Sequence, residues 1–252
     1  MVHPQSDFAQ PACALKHQRT CHQRCQGEAP VVERVLYVCA SPRGERSVSA
    51  QIAEVFLSAL AERKAIEVDR LDPWECALPE VDGDLLAAKY AGLADAPLSP
   101  AQTAAWAQIT ALAKRFHRAD TLLFSVPLWN FGIPYKLKHL IDAISHKGVL
   151  FTFDEQGLNG MLGGRRAVAI YTRGLGYGPD SQTPDQAFGL EKPFLDAWFR
   201  FVGINRVHSI VAEQTLSPAG ASVRASALVE VSLLARNIDQ AQARTIIVGR
   251  SG

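Results

Sequence analysis

Short apolar runs alternate with helical stripes along most of the chain. Val35-Leu-Tyr-Val-Cys39 is a continuous apolar run of strand length, and after it Val48, Ile52, Val55, Phe56, Ala59 and Leu60 recur at helical spacing. Residues 65–71 read as a second strand, followed by a Pro- and Asp-rich connection through Trp74. Ser99-Pro-Ala-Gln102 has the form of a capping box with Pro at the first helical position, and Trp106, Ile109, Leu112, Ala113 and Phe116 form the stripe of the helix it opens. Residues 120–126, 167–172 and 207–212 are three more short, largely apolar strands. Pro134 opens a helix with Leu137, Leu140, Ile141 and Ile144 on one face; a further helix covers residues 192–201. Ser217-Pro218 caps a last one that runs to about Arg244.

Strands buried on both faces and alternating with helices predict an α/β fold, a five-stranded parallel sheet with helices on both faces. Ligands of such sheets bind beyond the carboxyl ends of the strands, where the strand order reverses. Three candidate loops follow strand ends: residues 40–49, 127–132 and 173–178. Residues 1–32 differ in kind, being polar, interrupted by Pro4, Pro11 and Pro30, and without a sustained period. They are expected to be a flexible N-terminal extension ahead of one domain over 33–252.

Composition narrows the function. At 252 residues and 48% hydrophobic, the chain has ample material for a core. Its net charge of +1, without a long basic run, implies neither nucleic acid nor an anionic membrane as partner. No apolar stretch approaches membrane-spanning length and no signal-peptide core is present, so a cytoplasmic location is expected. Cys13, His17, Cys21, His22 and Cys25 suggest zinc, but Cys21 and Cys25 are the only closely spaced cysteine pair, and no metal centre is expected.

The loop after the first strand carries the clearest chemistry. Ser41, Ser47 and Ser49 offer hydroxyls at a helix start, Arg43 and Arg46 offer charge, and the first helical turn offers unpaired N–H groups and the positive end of the dipole. Those features suit a phosphate; a serine that merely caps its helix is the alternative. A P-loop is excluded by the missing Gly-Lys-Ser/Thr ending. A cysteine-phosphatase loop from Cys39 to Arg46 has the wrong spacing. Residues 127–132 (Pro-Leu-Trp-Asn-Phe-Gly) place two large rings at a strand end, where they suit a flat heterocycle, although most aromatics simply pack into cores. Thr172-Arg-Gly-Leu-Gly-Tyr-Gly178 is glycine-dense and allows close backbone approach.

Ser41 with Ser47-Val-Ser49, Pro127-Leu-Trp-Asn-Phe131 leading into Pro134-Tyr-Lys-Leu-Lys138, Gly148-Val-Leu-Phe-Thr-Phe153 and Thr172-Arg-Gly174 together resemble the flavodoxin-like FMN-dependent NADH:quinone oxidoreductases, or azoreductases. The resemblance spans about residues 33–245. It implies FMN, with NADH or NADPH as electron donor and a quinone or azo compound as acceptor, in a ping-pong exchange at the flavin. It also implies a homodimer. Cofactor contacts would come from Ser41, Arg43, Ser47, Val48, Ser49, Pro127, Leu128, Trp129, Asn130, Phe131, Thr172, Arg173 and Gly174. Asn130, Phe153 and Tyr177 would border the substrate. No catalytic acid, base or nucleophile is required, because the flavin carries the chemistry. A flavodoxin-type electron carrier and an NADPH-dependent FMN reductase are the alternatives; such carriers are usually markedly acidic, whereas this chain is nearly neutral.

Overall fold

The computed structural model describes residues 32–93 and 97–250. The extension expected over residues 1–32, with its Cys and His residues, lies almost wholly outside them. The elements follow one another as β1 (Glu33–Cys39), α1 (Val48–Ala61), β2 (Ile66–Leu71), α2 (Gly83–Leu93), α3 (Pro100–Arg118), β3 (Thr121–Pro127), α4 (Tyr135–Ile144), β4 (Phe151–Asp154), β5 (Gly157–Gly160), β6 (Arg166–Thr172), α5 (Asp185–Phe188), α6 (Glu191–Phe201), β7 (Arg206–Ala212), α7 (Gly220–Asn237) and β8 (Thr245–Val248). The main sheet has the order β2-β1-β3-β6-β7-β8, every pair parallel. The order reverses between β1 and β3, which flank the switch point of the fold.

Alternation along each strand divides the core in two. On one face Leu36, Val38, Leu122, Phe124, Ala167 and Ala169 meet the apolar stripes of α3, α4 and α6. On the other, Val35, Tyr37, Leu123, Val168, Ile170 and Ile210 meet Ile52, Phe56 and Leu60 of α1 and Val223, Ala227, Val231 and Leu234 of α7. Each fully buried Leu, Ile or Phe contributes roughly 1.5–3 kcal/mol, so these paired faces supply the main driving force for the fold. The expected capping box is present: Ser99 Oγ accepts from the Gln102 N–H at 3.2 Å, Gln102 Oε1 accepts from the Ser99 N–H at 2.9 Å, and Pro100 opens α3.

The sheet has six strands, not five. Residues 238–244 lack helix breakers and read as a continuation of the last helix, but the apolar stripe of α7 ends at Ile238 and the helix itself at Asn237. There the Arg206 guanidinium donates to the Ile238 and Ala241 carbonyls, and the chain turns back to add β8 at the edge. Ile246 and Val248 of β8 pack on the α1/α7 face while Thr245 and Ile247 face outward. Two further elements lie where connections were expected. Within its described side chains α2 buries only Leu85 and Ala88, too short a stripe to show a period. The β4–β5 hairpin consists of two four-residue strands.

Candidate functional site

At the carboxyl end of β1 the chain passes through Ser41, a 3-10 turn over Gly44–Arg46, and Ser47 at the N-cap of α1. Ser41, Ser47 and Ser49 are buried, and Arg43 is exposed beside them. Ser47 does not cap its helix; its Oγ lies 3.0 Å from Ser49 Oγ instead. The N–H groups of Val48, Ser49 and Ala50 therefore have no acceptor among the described residues. A non-capping serine pair beside free first-turn donors separates the phosphate reading from ordinary capping.

The carboxyl end of β3 supplies the second wall. Leu128 donates its N–H to the Thr172 carbonyl at 2.9 Å, extending the β3–β6 ladder by one step. Trp129 and Gly132 then exchange two backbone hydrogen bonds of 2.9 Å around a tight turn. Asn130 and Phe131 occupy its centre with φ of 42° and 74°. A bulky residue in the left-handed region costs of order 1 kcal/mol or more and marks a place where geometry is held for function. Phe131 is 55% exposed. Trp129 packs on Trp74, which follows β2, with ring centroids 5.5 Å apart; Trp74 also meets Tyr135 at 5.1 Å and donates its indole N–H to the Ala40 carbonyl at 3.0 Å. Trp74 thus joins the loops of three neighbouring strands. The strand-ending Asp72-Pro73 pair is the sequence signal that could have found it.

The third wall, after β6, differs most from expectation. Arg173 was expected among the cofactor contacts; its side chain is 1% exposed and buried in an ion cluster. Its guanidinium donates to Glu191 at 2.6 Å, Asp185 at 2.7 Å and Glu213 at 3.1 Å, and stacks over the Tyr177 ring at 4.8 Å. Three carboxylates occupy that cation, so the Arg173 guanidinium is not free to meet a ligand. Tyr177 is likewise buried, 7% exposed, with its N–H donated to Glu213 Oε2 at 3.0 Å. The carbonyls of Arg173, Gly174 and Leu175 accept from Thr215, Leu216 and Gln214. The N–H groups of Gly174, Leu175 and Gly176 have no acceptor among the described residues. Gly174 has no positive φ, and a Cβ there would meet only the exposed Leu216 side chain, its Cδ1 at 2.8 Å.

Ser41, Ser47, Ser49, Leu128, Trp129, Asn130, Thr172 and Gly174 thus belong to loops at the carboxyl ends of β1, β3 and β6, three adjacent strands. Phe153 does not join them. Its hairpin packs at the opposite end of α6, where Phe151 meets Phe201 at 4.6 Å and Leu162 donates to the Val202 carbonyl. The length of α6, roughly 15 Å, separates that contact from the Arg173 cluster. Among the described residues no group of His, Cys, Asp and Glu is arranged to hold a metal.

A parallel sheet with helices on both faces and loops clustered at its switch point is a doubly wound α/β architecture, whose ligands bind beyond the carboxyl ends of the strands. The chain matches the family model described as Flavodoxin-like fold over residues 33–233. It is 50% identical over 206 residues to FMN-dependent NADH:quinone oxidoreductase 9 of Burkholderia lata, a match covering 81% of this chain and 98% of that protein. FMN-dependent NADH:quinone oxidoreductase 2 of Pseudomonas syringae pv. tomato is 47% identical over 204 residues, covering 80% and 97%. Among solved structures, an FMN-dependent NADH-azoreductase of Bacillus anthracis in complex with FMN superposes with a TM-score of 0.73 at 25% identity, covering 82% of this chain and 99% of that one. The protein belongs to the flavodoxin-like family of FMN-dependent NADH:quinone oxidoreductases.

Proposed function

We propose that the protein is an FMN-dependent oxidoreductase that passes hydride from NADH to quinones and azo compounds. The observation that carries this reading is that unpaired N–H donors after β1 and β6, with a buried serine pair that caps nothing, flank the aromatic turn after β3 at the carboxyl end of the sheet. Those groups fit FMN. Bound there, the flavin supplies two-electron transfer between donor and acceptor. Ser41, Ser47, Ser49 and the N–H groups of Val48, Ser49 and Ala50 hold the phosphate, with the α1 dipole favouring the dianion and Arg43 at the rim. Pro127, Leu128, Trp129, Asn130 and Phe131 border the ring system and keep water from one side of it. The backbone of Thr172–Gly174, with Leu175 and Gly176, offers donors to its polar edge. Donor and acceptor would occupy one stacking face in turn, and steady-state kinetics are expected to give parallel double-reciprocal plots.

A homodimer belongs to this reading. Val81, Phe131, Tyr135, Leu190 and Phe194 line an open groove of ≈ 780 Å³ beside the β3 turn, and three of them are about half exposed or more. A second copy covers that groove, and its hairpin brings an exposed Phe153 toward a site that the same chain's Phe153 does not reach. Light scattering at micromolar concentration is expected to give a dimer.

The purified protein is expected to release FMN on acid treatment, identified by mass spectrometry, and to turn over NADH with menadione. A protein that binds no added FMN overturns the reading. One that binds FMN yet does not turn over NADH is a carrier instead.

A further inference from the structure

The family match ends at residue 233, yet the chain goes on to form β8 and to return toward the β6 loop. Past β8, Gly249 turns the backbone at φ +79°, and a Cβ there would lie 2.7 Å from the Glu213 carbonyl oxygen. The turn delivers Arg250 onto the ion cluster: its guanidinium pairs with Glu213 Oε1 and approaches Asp185 at 3.4 Å. Two hydrogen bonds hold the turn in place: Glu213 donates its N–H to the Val248 carbonyl at 3.0 Å, and the Gln214 side chain donates to the Gly249 carbonyl at 2.7 Å.

The cluster in turn holds the loop. Glu213 accepts the Tyr177 N–H, Asp185 anchors the far end of the 173–189 segment, and Gln214–Leu216 pair with Arg173–Leu175 through three backbone hydrogen bonds. Without Arg250, Arg173 is the sole cation among the described residues against Asp185, Glu191 and Glu213, and Glu213 is fully buried. A buried carboxylate that loses a cation partner relaxes toward water and carries its attached backbone with it.

We infer that Arg250 is a positioning residue: the C-terminal strand is a latch that holds the 173–189 loop so that the N–H groups of Gly174, Leu175 and Gly176 stay aimed at the ligand site. The inference rests on the reading of that site as the flavin site. Its test uses the full-length protein with FMN, comparing Arg250→Met and Arg250→Lys with Lys64→Met, a control that removes a cation from the opposite end of the sheet. Arg250→Met is expected to weaken FMN about tenfold, with exchange of the Tyr177 amide about tenfold faster, and Arg250→Lys to recover most of both. Lys64→Met is expected to lower the unfolding midpoint and move neither. The latch is wrong if Arg250→Met leaves both readouts within about twofold of the parent, or if Lys64→Met shifts them equally. Should the parent bind no FMN, the functional reading fails while amide exchange still decides the latch.

Discussion

At the amino end of the sheet Glu33, Asp239, Lys64 and Arg166 meet as two acids and two bases. Glu33 takes a hydrogen bond from Thr121 at 2.6 Å as well as both cations, so burial, which would raise its pKa, is outweighed and the carboxyl is held below its usual range. Lys64 and Arg166 draw Asp239 down to about 2. At the carboxyl end three acids, Asp185, Glu191 and Glu213, face two arginines. There burial wins over Arg173, the pKa of Glu191 is raised, and its Oε2 has no partner among the described residues. The three non-glycine residues with positive φ among the described residues, Asn130, Phe131 and Gln214, also lie at this end. One cluster pairs its acids and bases evenly; the other end keeps unpaired donors, strain and surplus negative charge.

The largest test of that contrast is Arg166→Met. Removing a cation that is 11% exposed leaves Glu33 buried and under-paired, and the expected loss is about 3–5 kcal/mol in urea unfolding, with FMN affinity of the folded fraction unchanged. A loss below about 1 kcal/mol would place that cluster among weak surface pairs.

His208 sharpens the same point through pH. It is fully buried on β7 near Arg206, Arg166 and Arg244, and burial first, then those charges, push its pKa down to about 4. The neutral ring is the form the fold accepts. Its contribution is whole above the unfolded value near 6.5 and is lost as pH falls from there to about 4, reaching roughly 3 kcal/mol. His208→Phe is expected to flatten that acid limb; an unaltered slope would assign acid unfolding to the carboxylates.

At the carboxyl end the expected effects are smaller. Glu191→Gln keeps one acceptor for Arg173 and removes a charge the site disfavours, so its cost is expected to be about 1 kcal/mol, well below that of Arg166→Met. Phe131→Gly converts the β3 turn to Asn-Gly, suited to positive φ at both positions, and is expected to raise stability by about 0.5–1 kcal/mol while weakening substrate binding. Destabilisation by that change would mean that the Phe131 contact with Phe188, 5.8 Å between rings, outweighs the strain.

The sequence made legible what local pattern controls. β1, β3, β6 and β7 are nearly continuous apolar runs because both faces are covered, and the Ser99 box announces α3 through groups three residues apart. β8 was hidden because its boundary is set by Arg206 reaching α7 across 32 residues and by a one-sided edge burial. The serine and aromatic loops were legible as chemistry on exposed strand ends. The role of Arg173 was not: Asp185, Glu191 and Glu213 stand 12, 18 and 40 residues away, and only the folded chain shows that they consume its side chain. Arg250 escaped for the same reason.

The claim that the carboxyl end is the flavin site is tested most directly by comparing FMN with riboflavin, which lacks the phosphate. Titration of the parent and of the Ser47→Ala/Ser49→Ala variant, with circular dichroism to confirm folding, gives four dissociation constants. Two hydroxyls bonded to an anion are together worth at least about 1.5–3 kcal/mol, so the variant is expected to weaken FMN roughly ten- to a hundredfold and leave riboflavin unchanged. An unchanged ratio of FMN to riboflavin affinity would contradict the account and move the phosphate away from α1.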